Sequence, residues 1–104
     1  MALSITTSEE NGGVFVEVEG EIDVSNAAEL RSALDEALKS AIYDIEIDFS
    51  KVSYIDSTGI GVLVGFSHRA NAARIAFRIS NTQPSVLRVL RLLGVEDELN
   101  ARED

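Results

Sequence analysis

The stretch YDIEIDF puts Tyr43, Ile45, Ile47 and Phe49 on one side of an extended chain and Asp44, Glu46 and Asp48 on the other. RIAFRI repeats the pattern, with Ile75, Phe77 and Ile79 opposite Arg74, Ala76 and Arg78. Val14, Val16 and Val18 alternate in the same way with Phe15, Glu17 and Glu19. Period-2 alternation demands strands with one dry face and one wet face. A sheet covered on both faces would instead read as unbroken apolar runs. The helices of such a chain must lie mainly on one side of the sheet, with Asp44, Glu46 and Asp48 exposed on the other.

Punctuation between the strands sets their order. Asn11-Gly12-Gly13 is a hairpin signal joining Leu3–Thr7 to Val14–Glu19. Glu19 to Tyr43 and Phe49 to Arg74 are gaps long enough for a helical crossover between parallel strands. In the first gap Ala27, Leu30, Leu34, Ala37, Leu38 and Ala41 form a helical stripe, and Asn26 with Glu29 resembles a capping box. STGIGVLVGFSHRANA is a second helix, with Ile60, Leu63, Val64 and Ser67 on one face and Val62 and Phe66 elsewhere. Gly61 and Gly65, one turn apart in it, suit close backbone packing. QPSVLRVLRLLG is a third, starting near Pro84, stopping before Gly94, and burying Val86, Leu87, Leu90 and Leu93. The prediction is one α/β domain over residues 1–104, with a mixed sheet of about four strands and an antiparallel first strand. At 104 residues and 45 % apolar, the chain can fill one core and no more.

Charge narrows the function. Residues 1–56 hold 13 acids against 3 bases, and residues 57–104 hold 5 acids against 6 bases, giving the net −9. Such a chain repels nucleic acid and anionic lipid, which both select basic surfaces. The lack of cysteine fits a reducing compartment. The first ten residues lack the basic and apolar regions of a signal peptide, and no apolar run approaches the ~20 residues of a membrane span. The chain reads as cytoplasmic, with no membrane insertion.

Asp56-Ser57-Thr58-Gly59 stands directly before the most apolar run, where an enzyme would place a nucleophile. Ile55 precludes a Gly-x-Ser-x-Gly elbow. The single histidine, His68, lies eleven positions along the same helix, roughly 16 Å from Ser57. Gly59, Gly61 and Gly65 lack the Gly-Lys-Ser/Thr ending of a phosphate loop. Asp23, Asp48 and Asp56 could meet at strand ends around a hard cation, or cap helices and face water. No cofactor, metal or catalytic role is expected. A serine at a helix N-terminus is either a plain cap or a site where a phosphate is tolerated, because unpaired backbone N–H groups face it.

FSKVSYIDSTGIGVLVGF resembles the signature of STAS domains of the bacterial anti-sigma factor antagonist class, with supporting likeness in VEGEIDVSNAAELRSAL and LRVLRLLGVEDEL. The family often carries a bulky pair where this chain has Leu99 and Asn100. The resemblance implies that a cognate anti-sigma factor, itself a serine kinase with its own ATP, binds the unphosphorylated chain and phosphorylates Ser57. Sigma factor is freed by the binding, and phosphorylation releases the antagonist. Asp56, Thr58, Gly59 and Gly61 then belong to the partner surface, with Asp23, Ser25 and Asn26 on the adjacent loop. A PP2C-type phosphatase is implied as the enzyme that restores Ser57. Two other roles are open to the same residues: an adaptor for the ATPase of a lipid-transport ABC system, and a module binding a nucleotide or lipid at the strand ends.

Overall fold

Asn11 and Gly12 close the first hairpin as their chemistry suggests. In the computed structural model, which describes residues 2–104, they take φ of 54° and 85°, the left-handed region that a two-residue hairpin turn requires. The turn joins β1 (Ser4–Glu10) antiparallel to β2 (Gly13–Ile22). From there α1 (Ala27–Ser40) crosses to β3 (Asp44–Ile55), α2 (Ser57–Ala72) crosses to β4 (Ala76–Ser80), and α3 (Pro84–Leu92) follows. β2, β3 and β4 are parallel, and the sheet order is β1-β2-β3-β4. The predicted α/β order and mixed sheet are both observed.

One sheet face carries the core. Val14, Val16, Val18, Ile45, Ile47, Phe77 and Ile79 point into it, against Leu30 and Leu34 of α1, Leu63 and Phe66 of α2, and Val86, Leu87 and Leu90 of α3. Phe66 meets Phe77 edge to face at 5.2 Å between ring centroids, a favoured aromatic geometry. Phe66 therefore belongs to the core and not to an outer face of the helix. Val62 and Val64 flank it, half-buried, so α2 is apolar around much of its circumference. Among the described residues no helix is long and apolar enough to cross a membrane.

Several expectations need correction. β3 does not stop at Phe49 but runs to Ile55, and it carries one more residue than β2 at each of two register shifts, between Glu17 and Glu19 and between Gly20 and Glu21. These bulges place the buried Phe49 and Val52 three apart and break the alternation that a strand announces itself by. Tyr43 lies outside the strand, 69 % exposed, with its ring beneath Gly12 where a Cβ would sit 2.6 Å from Cδ2. Asp44 is exposed and Glu46 is half-buried, but Asp48 is buried with its carboxylate occupied: it accepts from Ser50 N at 2.9 Å and Asn81 Nδ2 at 3.2 Å. Glu29 accepts from Leu3 N at 3.0 Å, tying β1 to α1 and forming no capping box. Leu93 is exposed because α3 ends one residue before it, at a turn completed by Gly94 at φ 72°.

Beyond α3 the chain returns to the sheet. Ala101 bridges Ile79 in parallel, Arg102 N donating to Ile79 O at 2.9 Å, and Leu99 is fully buried beneath. On the open sheet face Glu46 accepts from Arg78 at 2.6 Å and from Ser80 at 2.8 Å. The Arg78 hydrogen bond, then that of Ser80, holds the Glu46 carboxyl below its ordinary value. A carboxyl depressed in the folded state stabilises above its unfolded pKa and loses that contribution as pH falls through the folded one. Glu46→Gln should therefore cost about 0.2–1 kcal/mol near neutrality and flatten the fall in stability on acidification. Thermal melts from about pH 7 to about pH 3 check this; an acid limb as steep as wild type's would contradict it.

Candidate functional site

Two loops leave the sheet side by side, because β2 and β3 are parallel neighbours and their carboxyl ends meet. Such ends are where open α/β sheets gather ligands. Asp56 N donates to Ile22 O at 3.1 Å, linking the start of one loop to the end of the adjacent strand. Gly59 seals the joint: a Cβ there would lie 2.5 Å from Ile22 Cγ2 and 2.9 Å from Ile55 Cγ1, both in buried side chains.

The cap of α2 decides what Ser57 is free to do. Asp56 is the N-cap, its Oδ1 accepting from Gly59 N at 3.0 Å, a bond worth about 0.5–2 kcal/mol to the helix. Ser57 is the first helical residue and is exposed, as is Thr58. The serine hydroxyl is thus not the cap, and its residue stands exposed at the first turn, whose leading backbone amides have no intrahelical acceptor.

The neighbouring loop is tightly built. Asp23 Oδ1 accepts from Ser25 N at 2.9 Å and from Ser25 Oγ at 2.5 Å. The Ser25 hydroxyl, then its amide, holds the Asp23 carboxyl below its ordinary value. Asn26 is buried, accepting from Asp23 N at 2.9 Å and donating to Glu21 O at 2.8 Å. Its side chain shapes the loop from inside; the outward positions are Ser25 and Val24. Val24 is 76 % exposed, an apolar side chain in a polar loop that sequence reading missed although the Asp-Val-Ser context marks it. Tyr54, at the end of β3, is half-exposed nearby in the strand register opposite Glu21.

Of the residues singled out, Asp23, Ser25, Asp56, Ser57 and Thr58 share this end of the sheet, with Gly59 and Asn26 beneath as scaffold. Gly61 is exposed one half-turn further along α2, with no atom within 4 Å of where its Cβ would be, so it is no packing glycine. Asp48 stays in mid-strand, apart from Asp23 and Asp56. His68 faces Glu98, its Nε2 3.1 Å from the carboxylate. Among the described residues no group of three or more His, Cys, Asp and Glu is placed to hold a metal ion.

The model of the STAS domain family matches residues 4–104, almost the whole chain. The chain belongs to the STAS domain family. One relative of this STAS domain is the anti-sigma-B factor antagonist of Staphylococcus aureus, 30 % identical over 99 % of the chain and 95 % of the relative. Among solved structures, an anti-sigma factor antagonist from Mycobacterium paratuberculosis superposes with a TM-score of 0.86 at 22 % identity, covering 98 % of this chain and 86 % of that one. The Bacillus cell fate determinant SpoIIAA in its phosphorylated form superposes at 0.72 with 20 % identity, over 95 % and 91 % of the two chains.

The two glycines of the STAS motif should separate cleanly. Gly59→Ala forces a Cβ into Ile22 and Ile55 and is expected to cost about 1–3 kcal/mol. Gly61→Ala meets open space and should be neutral or stabilising by up to about 1 kcal/mol, as helix propensity favours alanine. Urea unfolding of the two variants checks this, and equal losses would contradict it.

Proposed function

We propose that this STAS domain is an anti-sigma factor antagonist, a non-enzymatic cytoplasmic regulator switched at Ser57. In its unphosphorylated form it binds an anti-sigma factor serine kinase through the Asp23–Asn26 and Asp56–Gly61 segments and frees the sigma factor. The kinase then transfers the γ-phosphoryl group of its ATP to Ser57 Oγ. The new O–P bond forms as the β–γ bridge breaks, ADP leaves, and the hydroxyl proton passes to a base of the kinase. A PP2C-type phosphatase hydrolyses the ester and restores the binding form. The 30 % identical antagonist of near-equal length supports the role.

The observation that carries the switch is the division of labour at the helix start. Asp56 supplies the cap, so Ser57 can be modified without removing a structural hydrogen bond. A phosphate there gains from the helix N-terminus and the adjacent amides. It also adds about −1.5 to −2 charge to a chain already at −9. The fold tolerates that charge, and a desolvated interface does not.

Incubated with its anti-sigma factor kinase and ATP, the chain should gain one phosphate, on Ser57 and not Thr58, by mass spectrometry. Ser57→Ala should bind the kinase constitutively, and Ser57→Asp less well as a partial mimic. If repulsion and desolvation cost ~1–3 kcal/mol, affinity should fall by roughly 5- to 150-fold on phosphorylation. Undiminished phosphate transfer to Ser57→Ala would overturn the assignment. Capture of an ABC ATPase with no kinase binding would overturn the role.

A further inference from the structure

The distribution of acids on this chain is not that of a uniformly solvated surface. The 39 residues from Ser57 to Val95 contain no carboxylate, although the chain has 18. The open sheet face, by contrast, gathers Glu17, Glu19, Asp44, Glu46 and Asp48. Where α1 and α2 pack together, a groove of about 250 Å³ opens to the surface, lined by Arg31, Thr58, Gly61, Val62, Gly65 and Arg69. It begins at Thr58, directly beside Ser57.

The groove has an apolar wall, a bare floor and a basic rim. Val62 is half-buried on it, and Gly61 offers no side chain and has open space where one would be. The Arg69 guanidinium lies over Gly65, whose Cβ would be 3.4 Å from Nη1. Asp35 is the acid shared by the two arginines: it accepts from Arg69 Nη2 at 2.8 Å and stands 3.9 Å from Arg31 Nε. Two guanidiniums thus share one carboxylate, and the Arg31 side chain, 64 % exposed, has among the described residues only the 3.9 Å contact to it. Arginine presents a fork of donors suited to a second carboxylate.

We infer that this α1–α2 groove is the specificity-determining part of the partner surface, receiving an acidic, partly apolar segment of the anti-sigma factor whose carboxylate pairs with Arg31 and Arg69. The inference rests on the function proposed above and adds to it the chemistry of the partner. Charge complementarity orients the encounter, because an acidic segment is repelled by the open sheet face and accepted only on the α2 side. It also sharpens the switch: a phosphate on Ser57, one residue before the Thr58 that lines the groove, repels the same carboxylate that the arginines attract.

Calorimetric titration of the unphosphorylated chain with its purified anti-sigma factor kinase, at about 50 and about 300 mM salt, tests this. Wild type should bind, and more weakly at the higher salt. Arg31→Glu should lose about tenfold or more in affinity, while Lys51→Glu, with the same change in net charge on the sheet side, should stay within about twofold. Gly61→Leu should also bind about tenfold more weakly without a lower melting temperature, because it fills the groove in open space. Arg31→Ala, which cannot repel Asp35, supports the reading if Arg31→Glu proves poorly folded. Normal binding by wild type with unaltered affinity in the Arg31 and Gly61 variants would overturn the groove and leave the proposed function standing. Equal losses in Arg31→Glu and Lys51→Glu would reduce the effect to net charge and also overturn it. No binding by wild type would overturn the function and the groove with it.

Discussion

The hydrogen bond from Gly59 N to Asp56 Oδ1 is the contact on which the site depends. It starts α2 with a carboxylate one residue before the serine, and so leaves the serine at the surface as a helical residue with no structural duty. The same aspartate donates its amide to Ile22 O, so the cap is anchored to the next strand. Gly59 then lets the first turn sit directly on Ile22 and Ile55. Rigid support under an exposed hydroxyl is what a modification switch requires: the group must be presented in one place, and its surroundings must not unfold when its charge changes.

Burial on one face and charge on the other extend that logic to the whole domain. The helices cover the apolar face, and the open face keeps its acids solvated or paired, as Glu46 is with Arg78 and Ser80. In the function proposed, partner contact falls at the end of the sheet and on the α1–α2 side. There the chain exposes Val24 and Arg31 beside the half-buried Val62 and Arg69. An interface assembled from such parts combines apolar burial with charges that select the partner.

Much of this was legible from residues alone, and the reasons are specific. Alternation at Ile45, Ile47, Phe77 and Ile79 located the strands because one face is dry and the other wet. It failed after Phe49 because two bulges changed the spacing. Phe66 was misplaced because α2 is apolar on more than one side, so periodicity gives no single face. Asn26 looked like a cap because asparagine before a helix usually is one, whereas here its amide stitches Asp23 to Glu21. At the site Asp-Ser-Thr-Gly leaves a plain cap and a switch both open from residues alone; the likeness to the STAS signature singles out Ser57, and only the cap geometry separates the roles of Asp56 and Ser57. The groove left no sequence signal, since Arg31 and Arg69 come together only through helix packing.

The central claim is that Ser57 can carry a phosphate without harm to the fold, and the most direct measurement is urea unfolding of the Ser57-phosphorylated chain beside the unmodified one. With Asp56 holding the cap and the helix N-terminus favouring negative charge, the phosphorylated form should match the unmodified stability or exceed it by about 0.3–1 kcal/mol. A loss of about 2 kcal/mol or more would show that the serine hydroxyl is part of the structure, and would contradict the account.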